Sequence, residues 1–435
     1  MAFRCENCGH KSGKWMGFCP QCGVTEPLVE EAGTARSASR AAEAVGLKAA
    51  SERSFDRRPT SWGEIDRVLG GGVVAGSVLL LGGEPGVGKS TLLLQMAGSL
   101  AGSGESVIIA SAEESADQVA MRAGRLGIVD DLISLVSDDD VDAIVALAER
   151  ERPALLIIDS IQTVGVPEIS AAPGGVAQVR ESAARLVRLA KTTGVAVVLV
   201  GHVTKDGGLA GPKMLEHMVD VVLYLEGDPD RGFRVLRSIK NRFGATHVSG
   251  MFDMRSEGLT EVDDPSKVFL DGWEPDVPGT VIYPAVEGRR SILVEIQALV
   301  SPTRQAQPRR SIRGLDPTRV NQVLAVLDRH SSISLHDQEV YVNVVGGWRI
   351  DEPGCDLAVA LAVASSHADH PLGRLSAWGE IGLAGEVRGI PMETRRIEEL
   401  DRMGLERRIA PLGGGPLRLR NALEQAGLVG HRAFE

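Results

Sequence analysis

The residues best suited to chemistry form a glycine-rich loop that ends in a lysine and two hydroxyl side chains. The loop fits the pattern G-x-x-x-x-G-K-[ST] and contains Gly83, Glu84, Pro85, Gly86, Val87, Gly88, Lys89, Ser90 and Thr91. Glycines let backbone N–H groups turn inward around phosphate oxygens, and a following helix N-terminus adds a positive dipole. We expect Lys89 to reach the β- and γ-phosphates of ATP and Ser90 to hold Mg²⁺. The alternative, a turn without a ligand, is disfavoured because an apolar run precedes the loop and a helical run follows it.

Acidic side chains follow two apolar runs that are typical of buried parallel strands. Asp159 ends the run 154–158, and Glu113 and Glu114 follow the run 106–111. The carboxyl ends of parallel strands face the ligand in an α/β sheet. We therefore expect Asp159 to accept a hydrogen bond from a Mg²⁺-bound water. We expect Glu113 to polarise the water that attacks the γ-phosphate, with Glu114 as its substitute. The alternative for the glutamates is a solvated pair that caps the next helix.

Two C-x-x-C knuckles near the N-terminus could hold a metal ion. Cys5, Cys8, Cys19 and Cys22 supply four thiolates, which is a ligand set that tetrahedral Zn²⁺ prefers. A segment this short cannot fold on apolar burial alone, so Zn²⁺ would provide its folding energy. We therefore predict a zinc ribbon in residues 1–30. The alternative is a pair of redox-active dithiols.

A larger fold must position these groups, and length and composition bound that fold. The 435 residues are enough for two or three domains, and 43% hydrophobic residues are ordinary for a globular protein. The formal net charge of -11 excludes a global basic footprint for nucleic acid, so such contacts must use local patches. The sequence shows neither a membrane-spanning run nor the apolar core of a signal peptide. We expect a cytoplasmic protein without membrane contact.

Apolar runs and helical patterns alternate from about residue 56 to 276, which predicts an α/β domain built on a parallel sheet. Strands are expected at 77–81, 106–111, 154–159, 195–201, 220–225 and 233–239. We expect a linker at 31–55 and a further domain at 277–435. The loop at 165–176, rich in glycine and proline, is predicted to be mobile. His202 could sense the γ-phosphate or be an ordinary hydrogen-bonded loop histidine.

The strongest local basic patch lies in the C-terminal third of the chain. It consists of Arg304, Arg309, Arg310, Arg313 and Arg319. These arginines could contact DNA phosphates or could be solvated side chains of a surface loop. Asp316 precedes a helical pattern and is predicted to cap it.

The motifs of the chain follow one another in an order that is typical of a single protein family. The cysteine knuckles, Gly70-Gly71-Gly72 and the phosphate loop are followed by Ile158-Asp159-Ser160-Ile161-Gln162-Thr163, Gly201-His202-Val203-Thr204-Lys205 and Lys240-Asn241-Arg242-Phe243-Gly244. In this order the chain resembles the bacterial RadA (Sms) family over essentially its whole length, and its central part resembles the RecA-type P-loop ATPases. The resemblance implies that Lys240 and Arg242 act across a subunit boundary on a neighbour's nucleotide, as arginine fingers do. It also implies a homo-hexameric ring, single-stranded and branched DNA as ligands, and the recombinase RecA as a partner.

One departure from the family concerns the cysteine-rich segment. Family members usually carry a tryptophan soon after the fourth cysteine, and here Gly23-Val24-Thr25 follows Cys22. This difference bears on how the ribbon packs and leaves the metal ligands unchanged.

A second resemblance concerns residues 277–435. It is carried by the segments 340–347, 352–358 and 379–387. These segments resemble the Lon protease domain, which implies an α+β fold. Lon-type proteolysis needs a serine nucleophile and a lysine base. Gly354 and Cys355 occupy the nucleophile region, and the lysine region contains Pro391, Thr394 and Arg395. We expect a proteolytically inactive domain that serves assembly and DNA contact, with Cys355 as a buried small residue.

The resemblance to the RadA family implies a DNA-dependent ATPase of DNA repair and homologous recombination. Its ATP-driven movement on DNA would promote branch migration of recombination intermediates. Two alternatives are a RecA-fold ATPase switch that acts on protein partners and an ATP-dependent protease. Stimulation of ATP hydrolysis by DNA would distinguish the first alternative. The second requires a serine–lysine pair that the sequence lacks.

Overall fold

The computed structural model gives the backbone and side-chain arrangement of most of the chain. The described residues are 2–5, 7–8, 10–12, 14–25, 28–31, 46, 56–169, 171–172, 174–201, 214–227, 232–331, 333–414 and 417–428. They belong to two compact units that divide between residues 55 and 56. His202 and almost all of the predicted linker at 31–55 lie outside the described residues.

The N-terminal unit contains a small antiparallel sheet. Its described strands are β1 (Ala2–Cys5), β2 (Lys11–Ser12) and β3 (Leu28–Glu31), in the order β2-β1-β3. Cys5 and Cys19 are buried, and Phe3 and Met16 pack against them. Among the described residues of this unit, the buried cluster therefore consists of cysteines with two apolar side chains packed against them.

The second unit begins with a lobe that carries the glycine-rich loop, which we name the loop-bearing lobe (residues 56–276). Two short strands, β4 (Arg57–Arg58) and β5 (Val73–Val74), pair beside its main sheet. The described strands of the main sheet are β6 (Val78–Gly83), β7 (Val107–Ser111), β8 (Ile133–Val136), β9 (Leu155–Asp159), β10 (Ala196–Val200), β11 (Val221–Glu226), β12 (Phe233–Asn241), β13 (Ser249–Arg255) and β14 (Gly258–Glu261). Among described residues, these nine strands follow the order β14-β13-β12-β11-β6-β10-β9-β7-β8. The six strands β11, β6, β10, β9, β7 and β8 are parallel to one another, and β12, β13 and β14 are added antiparallel at one edge.

Helices cover both faces of this sheet. They are α1 (Gly63–Leu69), α2 (Lys89–Gly102), α3 (Ala116–Arg125), α4 (Val141–Glu151), α5 (Val176–Thr193) and α6 (Met214–Met218). Successive side chains of a strand point to opposite faces. Leu79 and Leu81 accordingly share a core with α1, α2 and α3, whereas Val78 and Leu80 share a core with α4, α5 and α6. Continuous apolar strands are needed because the parallel sheet is buried on both sides.

The C-terminal lobe (residues 277–435) has a sheet of its own. The chain reaches it through α7 (Pro265–Phe269). Its described strands are β15 (Thr280–Glu287), β16 (Arg290–Pro302), β17 (Arg310–Arg313), β18 (Gln338–Val344), β19 (Ser376–Ala377), β20 (Glu380–Ile381), β21 (Glu386–Arg388), β22 (Arg408–Ile409) and β23 (Leu417–Arg418). The described helices are α8 (Pro317–His330), α9 (Asp356–Ala368), α10 (Glu393–Arg402) and α11 (Leu419–Gln425).

Six strands of the C-terminal lobe form a sheet in the order β17-β18-β16-β15-β19-β22, and β20, β21 and β23 form a second sheet, counting described residues only. The helix α9 is buried along most of its length. Val235 and Met251 of the loop-bearing lobe belong to the same apolar cluster as β15 and β16. The two lobes are therefore packed together. We retain 56–276 and 277–435 as proposed domains.

None of the helices in the described part of the chain is both long enough and apolar enough to cross a membrane.

Candidate active site

The glycine-rich loop connects a central strand to a helix. β6 runs into Gly83, and α2 begins at Lys89, so the loop lies at the carboxyl edge of the parallel sheet. Gly88 has φ of 113°, and a Cβ there would lie 2.5 Å from Met254 Cε. Gly86 has φ of 78°. These backbone conformations favour glycine, and they leave the loop without side chains where phosphate oxygens would approach.

Lys89 lies inside the loop. Its Nζ donates hydrogen bonds to the carbonyl oxygens of Gly83 at 2.8 Å and Glu84 at 3.0 Å, and the residue is 5% exposed. Burial lowers the pKa of Lys89, and the carboxylates of Asp159 and Glu113 act in the opposite direction. The nearby acids thus favour a charged ammonium in a place where desolvation opposes it. A phosphate group would supply further compensating negative charge.

Three strands bring the other predicted residues to the same edge. Ser111 and Asp159 are register partners at the ends of β7 and β9, and Glu113 follows Ser111 by two residues. The Ser90 hydroxyl donates to Asp159 Oδ2 at 2.8 Å. The Ser160 hydroxyl donates to Glu113 Oε1. Ser90, Asp159, Glu113 and Lys89 therefore form one cluster.

The structure distinguishes the two adjacent glutamates. Glu113 faces Ser160, which is completely buried. Glu114 forms an ion pair with Arg122 of α3, and both of these side chains are about one-third exposed. Glu113, rather than Glu114, thus lies beside the loop. Sequence reasoning did not single out Ser160, although its position directly after Asp159 could have suggested it.

The cluster fits ATP and Mg²⁺. Mg²⁺ prefers oxygen ligands, and the Ser90 hydroxyl and the Asp159 carboxylate supply oxygens that are 2.8 Å apart. Lys89 supplies a buried positive charge, and the loop supplies backbone N–H groups at a helix N-terminus.

The four cysteines form a candidate metal centre. The Sγ atoms of Cys5 and Cys22 are 3.7 Å apart, those of Cys8 and Cys19 are 3.6 Å apart, and all four lie within 4.8 Å of one another. A tetrahedral Zn²⁺ with Zn–S bonds of about 2.3 Å requires sulfur atoms about 3.8 Å apart. The cysteines therefore fit Zn²⁺.

Comparison with known proteins decides the family. The chain is 45% identical over 420 residues to the DNA repair protein RadA of Bacillus subtilis, a match that covers 94% of this chain and 92% of the relative. It is 48% identical to the DNA repair protein RadA of Pseudomonas aeruginosa, over 95% of this chain and 93% of the relative. The chain belongs to the RadA family.

Two family profiles match parts of this RadA-family chain. One, described as an AAA domain, matches residues 43–208, and the other, described as a rubredoxin metal binding domain, matches residues 3–30. A crystal structure of the RadB recombinase is 22% identical, covers 47% of this chain and 99% of that chain, and has a TM-score of 0.38. The AAA match and the loop geometry make the chain an ATP-hydrolysing enzyme with Mg²⁺. The ribbon match and the four cysteines make Zn²⁺ its structural metal.

The two cations of the RadA-type motif at 240–244 lie away from the phosphate loop of the same chain. Lys240 Nζ donates to the carbonyl oxygens of Glu216 at 2.7 Å and Val219 at 2.8 Å. Burial lowers the pKa of Lys240, and the neighbouring charge of Arg242 lowers it further. The lysine thus binds the end of α6 within its own chain.

Arg242 lies beside the N-terminal end of β6. Its side chain is 57% exposed and pairs with Asp220 Oδ1 at 3.5 Å. The backbone N–H of Asp220 donates to the carbonyl of Val78, the first residue of β6. Gly83 is five residues further along the strand, which corresponds to about 16 Å. Arg242 therefore lies near the opposite end of β6 from the phosphate loop of the same chain.

A cleft of this RadA-family chain lies between the two lobes. It has a volume of about 940 Å³ and adjoins the loop at Gly83 and Glu84. Its walls include Tyr224 and Arg237 on one side and Trp348 on the other. Lys89, Ser90 and Asp159 do not line it. The loop therefore meets this cleft at Gly83 and Glu84, and its lysine and metal-binding side chains lie outside the cleft.

The predicted loop at 165–176 is held at its first half. Gln178 of α5 is 5% exposed, and its side-chain oxygen accepts from the backbone N–H of Val166 at 2.8 Å. Its side-chain nitrogen donates to the carbonyls of Val166, Ile169 and Ala171. Val166 and Ile169 are thus fastened to α5. The predicted mobility of this segment stays a prediction.

The basic patch of the C-terminal lobe is smaller than the sequence suggested. Arg310 donates to the backbone carbonyls of Gln338 and Leu335, and burial lowers its pKa. Arg319 pairs with Asp356, which is 2% exposed. These two guanidinium groups are half-buried and bind groups of the lobe itself. Three exposed arginines remain: Arg304, Arg309 and Arg313.

The environment of Cys355 is unsuited to nucleophilic catalysis. Burial raises the pKa of this thiol, and Cys355 is 5% exposed. Its Sγ donates to the Glu352 carbonyl at 3.4 Å. The cations around it are Arg319, whose charge acts on the thiol, and Arg396, which pairs with the Glu352 carboxylate at 2.6 Å. A guanidinium group does not act as a base near neutral pH. Sequence reasoning named Arg395 for this region and missed Arg396.

Proposed function

We propose that this chain is a DNA-dependent ATPase of DNA repair and homologous recombination. ATP turnover would drive its movement on DNA and promote branch migration of recombination intermediates. The observation that carries the proposal is the cluster of Lys89, Ser90, Asp159 and Glu113 in a chain that belongs to a family of DNA repair proteins. The proposed reaction is the attack of water on the γ-phosphate of ATP.

Each residue of the cluster has a distinct role in this mechanism. Lys89 binds the β- and γ-phosphates, and Ser90 and Asp159 hold the metal and its water. Mg²⁺, when bound, neutralises phosphate charge that develops during transfer. Glu113 accepts the proton of the attacking water as general base. Ser160 orients Glu113 through the hydroxyl that donates to Oε1.

Lys240 and Arg242 would complete a neighbouring site in a homo-hexameric ring. The support for action between subunits is that Arg242 is exposed and about five strand residues away from its own loop. A guanidinium group brought against the γ-phosphate of a neighbour would stabilise charge in the transition state. Lys240 would reach the same nucleotide by leaving the carbonyls at the end of α6.

The C-terminal lobe would act as an inactive relative of the Lon protease domain. We assign it to ring assembly and DNA contact. Arg313 of β17 is a register partner of Asn343 of β18, which is in turn a partner of Gln297 of β16. Because register partners point to the same face of a sheet, the guanidinium group of Arg313 lies on one face with the side chains of Asn343 and Gln297. Such a face suits phosphate contact, with Arg309 and Arg304 beside it. RecA would be the recombinase partner.

A switch that acts on protein partners is the second candidate function. The net charge of -11 favours this function, because a DNA-binding protein more often has an extended basic surface. Of the five arginines in the basic patch, three are exposed. The protease alternative has no support from the surroundings of Cys355.

The test is the rate of ATP hydrolysis with and without single-stranded DNA. We expect DNA to raise the rate, and Lys89→Ala to abolish both the basal and the stimulated rates. Lys267→Ala is the matched control because its side chain is 72% exposed on α7. A rate that does not respond to DNA would refute the DNA motor and favour the protein-directed switch.

Mixed rings test the cross-subunit assignment separately. Arg242→Ala and Lys89→Ala subunits should each be inactive alone. Combined at equal amounts, they should regain up to about a quarter of the sites, because an intact loop then meets an intact arginine at random interfaces. No gain on mixing would refute action across the boundary.

A further inference from the structure

A buried arginine on β12 contacts the backbone of the phosphate loop. Arg234 lies near the start of β12 and is 3% exposed. Its Nε donates to the backbone carbonyl of Val87 at 2.8 Å, and its Nη1 donates to the carbonyl of Phe233 at 2.9 Å. A guanidinium group is charged at all physiological pH values, and its burial is costly unless hydrogen bonds compensate. The mechanism described above leaves this residue without a role.

The bond to Val87 fixes a peptide group that phosphate binding depends on. A trans peptide unit is planar, and its C=O and N–H point in opposite directions. The carbonyl of Val87 points toward Arg234, so the N–H of Gly88 must point away from β12. Gly88 has φ of 113° and lies against Met254 of β13, which closes the same side. The Gly88 N–H is thereby directed to the concave side of the loop.

We propose that Arg234 is a positioning residue for nucleotide binding. It holds the Val87–Gly88 peptide in the orientation in which the Gly88 N–H meets a phosphate oxygen. Without this anchor the peptide could rotate and direct a carbonyl oxygen at the phosphate. Arg234 thus acts through the backbone of the loop. The proposal rests on nucleotide binding by this loop and not on DNA, so a lack of DNA stimulation would leave it standing.

The full-length protein carrying Arg234→Met tests the proposal. The probe is mant-ADP with Mg²⁺, titrated by fluorescence, and thermal melting without nucleotide reports folding. We expect affinity to fall by about tenfold or more, since the loss of one oriented hydrogen bond to a charged group has this size. The KM for ATP should rise more than kcat falls. Arg234→Lys should recover part of the affinity, because an ammonium group can still donate to one carbonyl.

Arg237→Met is the matched control. Arg237 lies on the same strand, but its guanidinium binds the carboxylates of Glu226 and Glu287 and not the loop. A folded Arg234→Met protein with wild-type affinity for mant-ADP would overturn the proposal, as would an equal loss in Arg237→Met.

If the Arg234→Met protein does not fold, the proposal is tested instead by measuring amide hydrogen exchange in the Arg234→Lys protein. Faster exchange confined to residues 84–90, together with weaker mant-ADP binding, is then the expected result. Wild-type exchange and wild-type affinity in that variant would overturn the proposal.

Discussion

Replacing Glu113 by glutamine isolates the role of one carboxylate. Glutamine has nearly the same shape, and its side-chain oxygen can still accept the hydrogen bond that the Ser160 hydroxyl donates to Glu113. The substitution therefore removes the basic oxygen and leaves the surrounding contacts. The adjacent Glu114 provides a matched comparison, because its partner is Arg122 on α3.

The expected sizes of the two effects are very different. A general base contributes about 10²- to 10⁴-fold to the rate, so Glu113→Gln should raise the activation barrier by about 3 to 5 kcal/mol. Glu114 and Arg122 are about one-third exposed, so their ion pair resembles a surface pair. Such a pair contributes at most about 1 kcal/mol to folding stability. Glu114→Gln should leave kcat essentially unchanged.

The assay is steady-state ATP hydrolysis at saturating ATP and Mg²⁺, with DNA present. Binding of mant-ADP and thermal melting are measured in parallel. Glu113→Gln should bind nucleotide normally and hydrolyse it at a small fraction of the wild-type rate. Loss of hydrolysis in Glu114→Gln with activity retained in Glu113→Gln would refute the assignment. Wild-type rates in both variants would show that neither glutamate acts as the base.

Three further predictions concern the metal, the contact between lobes and the effect of pH. Cys19→Ser should release one zinc ion per chain and unfold the ribbon, because metal binding supplies its folding energy; a colorimetric zinc assay and limited proteolysis measure this. Arg290→Met should lower the free energy of unfolding by about 2 kcal/mol in urea titrations, because Glu64 is 2% exposed and loses one charged partner while Arg67 stays paired with it. Arg402 holds the pKa of Asp264 at about 2, below its ordinary 3.8, so this ion pair stabilises the fold above that ordinary value. The stability difference between wild type and Arg402→Gln should therefore shrink as the pH falls from 3.8 toward 2.

Each of these predictions has a control. The melting temperature of residues 56–435 should not change in Cys19→Ser, since the two units are compact by themselves. Arg289→Met changes an exposed neighbour of Arg290 and should have little effect on stability. An equal loss in both arginine variants would contradict the role of Arg290. A stability difference that stays constant from pH 4 to pH 2 would contradict the role of Asp264.

Local patterns were enough to predict the phosphate loop and the cysteine cluster. A loop of fixed spacing between a strand and a helix has one common geometry, and two C-x-x-C knuckles have few ways to place four sulfur atoms. The meeting of Glu113 and Asp159 was also predictable, because parallel strands end at the same edge of a sheet. The choice between Glu113 and Glu114 depends on their partners in the fold, because adjacent side chains diverge.

Contacts between distant segments were not predictable. Arg234 lies 147 residues from Val87, and the pair meets only because β12 lies beside β11, which in turn lies beside β6. No spacing rule connects them. The same limit applies to Arg310 and Arg319, which look like any surface arginines in the sequence. In the folded lobe, Arg310 donates to backbone carbonyls and Arg319 pairs with the buried Asp356.

The contacts of β12 suggest how the parts of the molecule are connected. Arg234 binds the phosphate loop, Arg237 pairs with Glu287 of the C-terminal lobe, and Lys240 binds the end of α6. Arg242 follows the strand directly and faces solvent. β12 is hydrogen-bonded to β11 and β13 on its two sides, so it can shift only together with the sheet. A displacement at the Arg242 end would therefore reach the loop and the C-terminal lobe through one rigid element. On this argument, Arg234→Lys and Arg237→Met should interact in double-mutant cycles of the free energy of unfolding, whereas Arg234→Lys and Glu114→Gln should be additive.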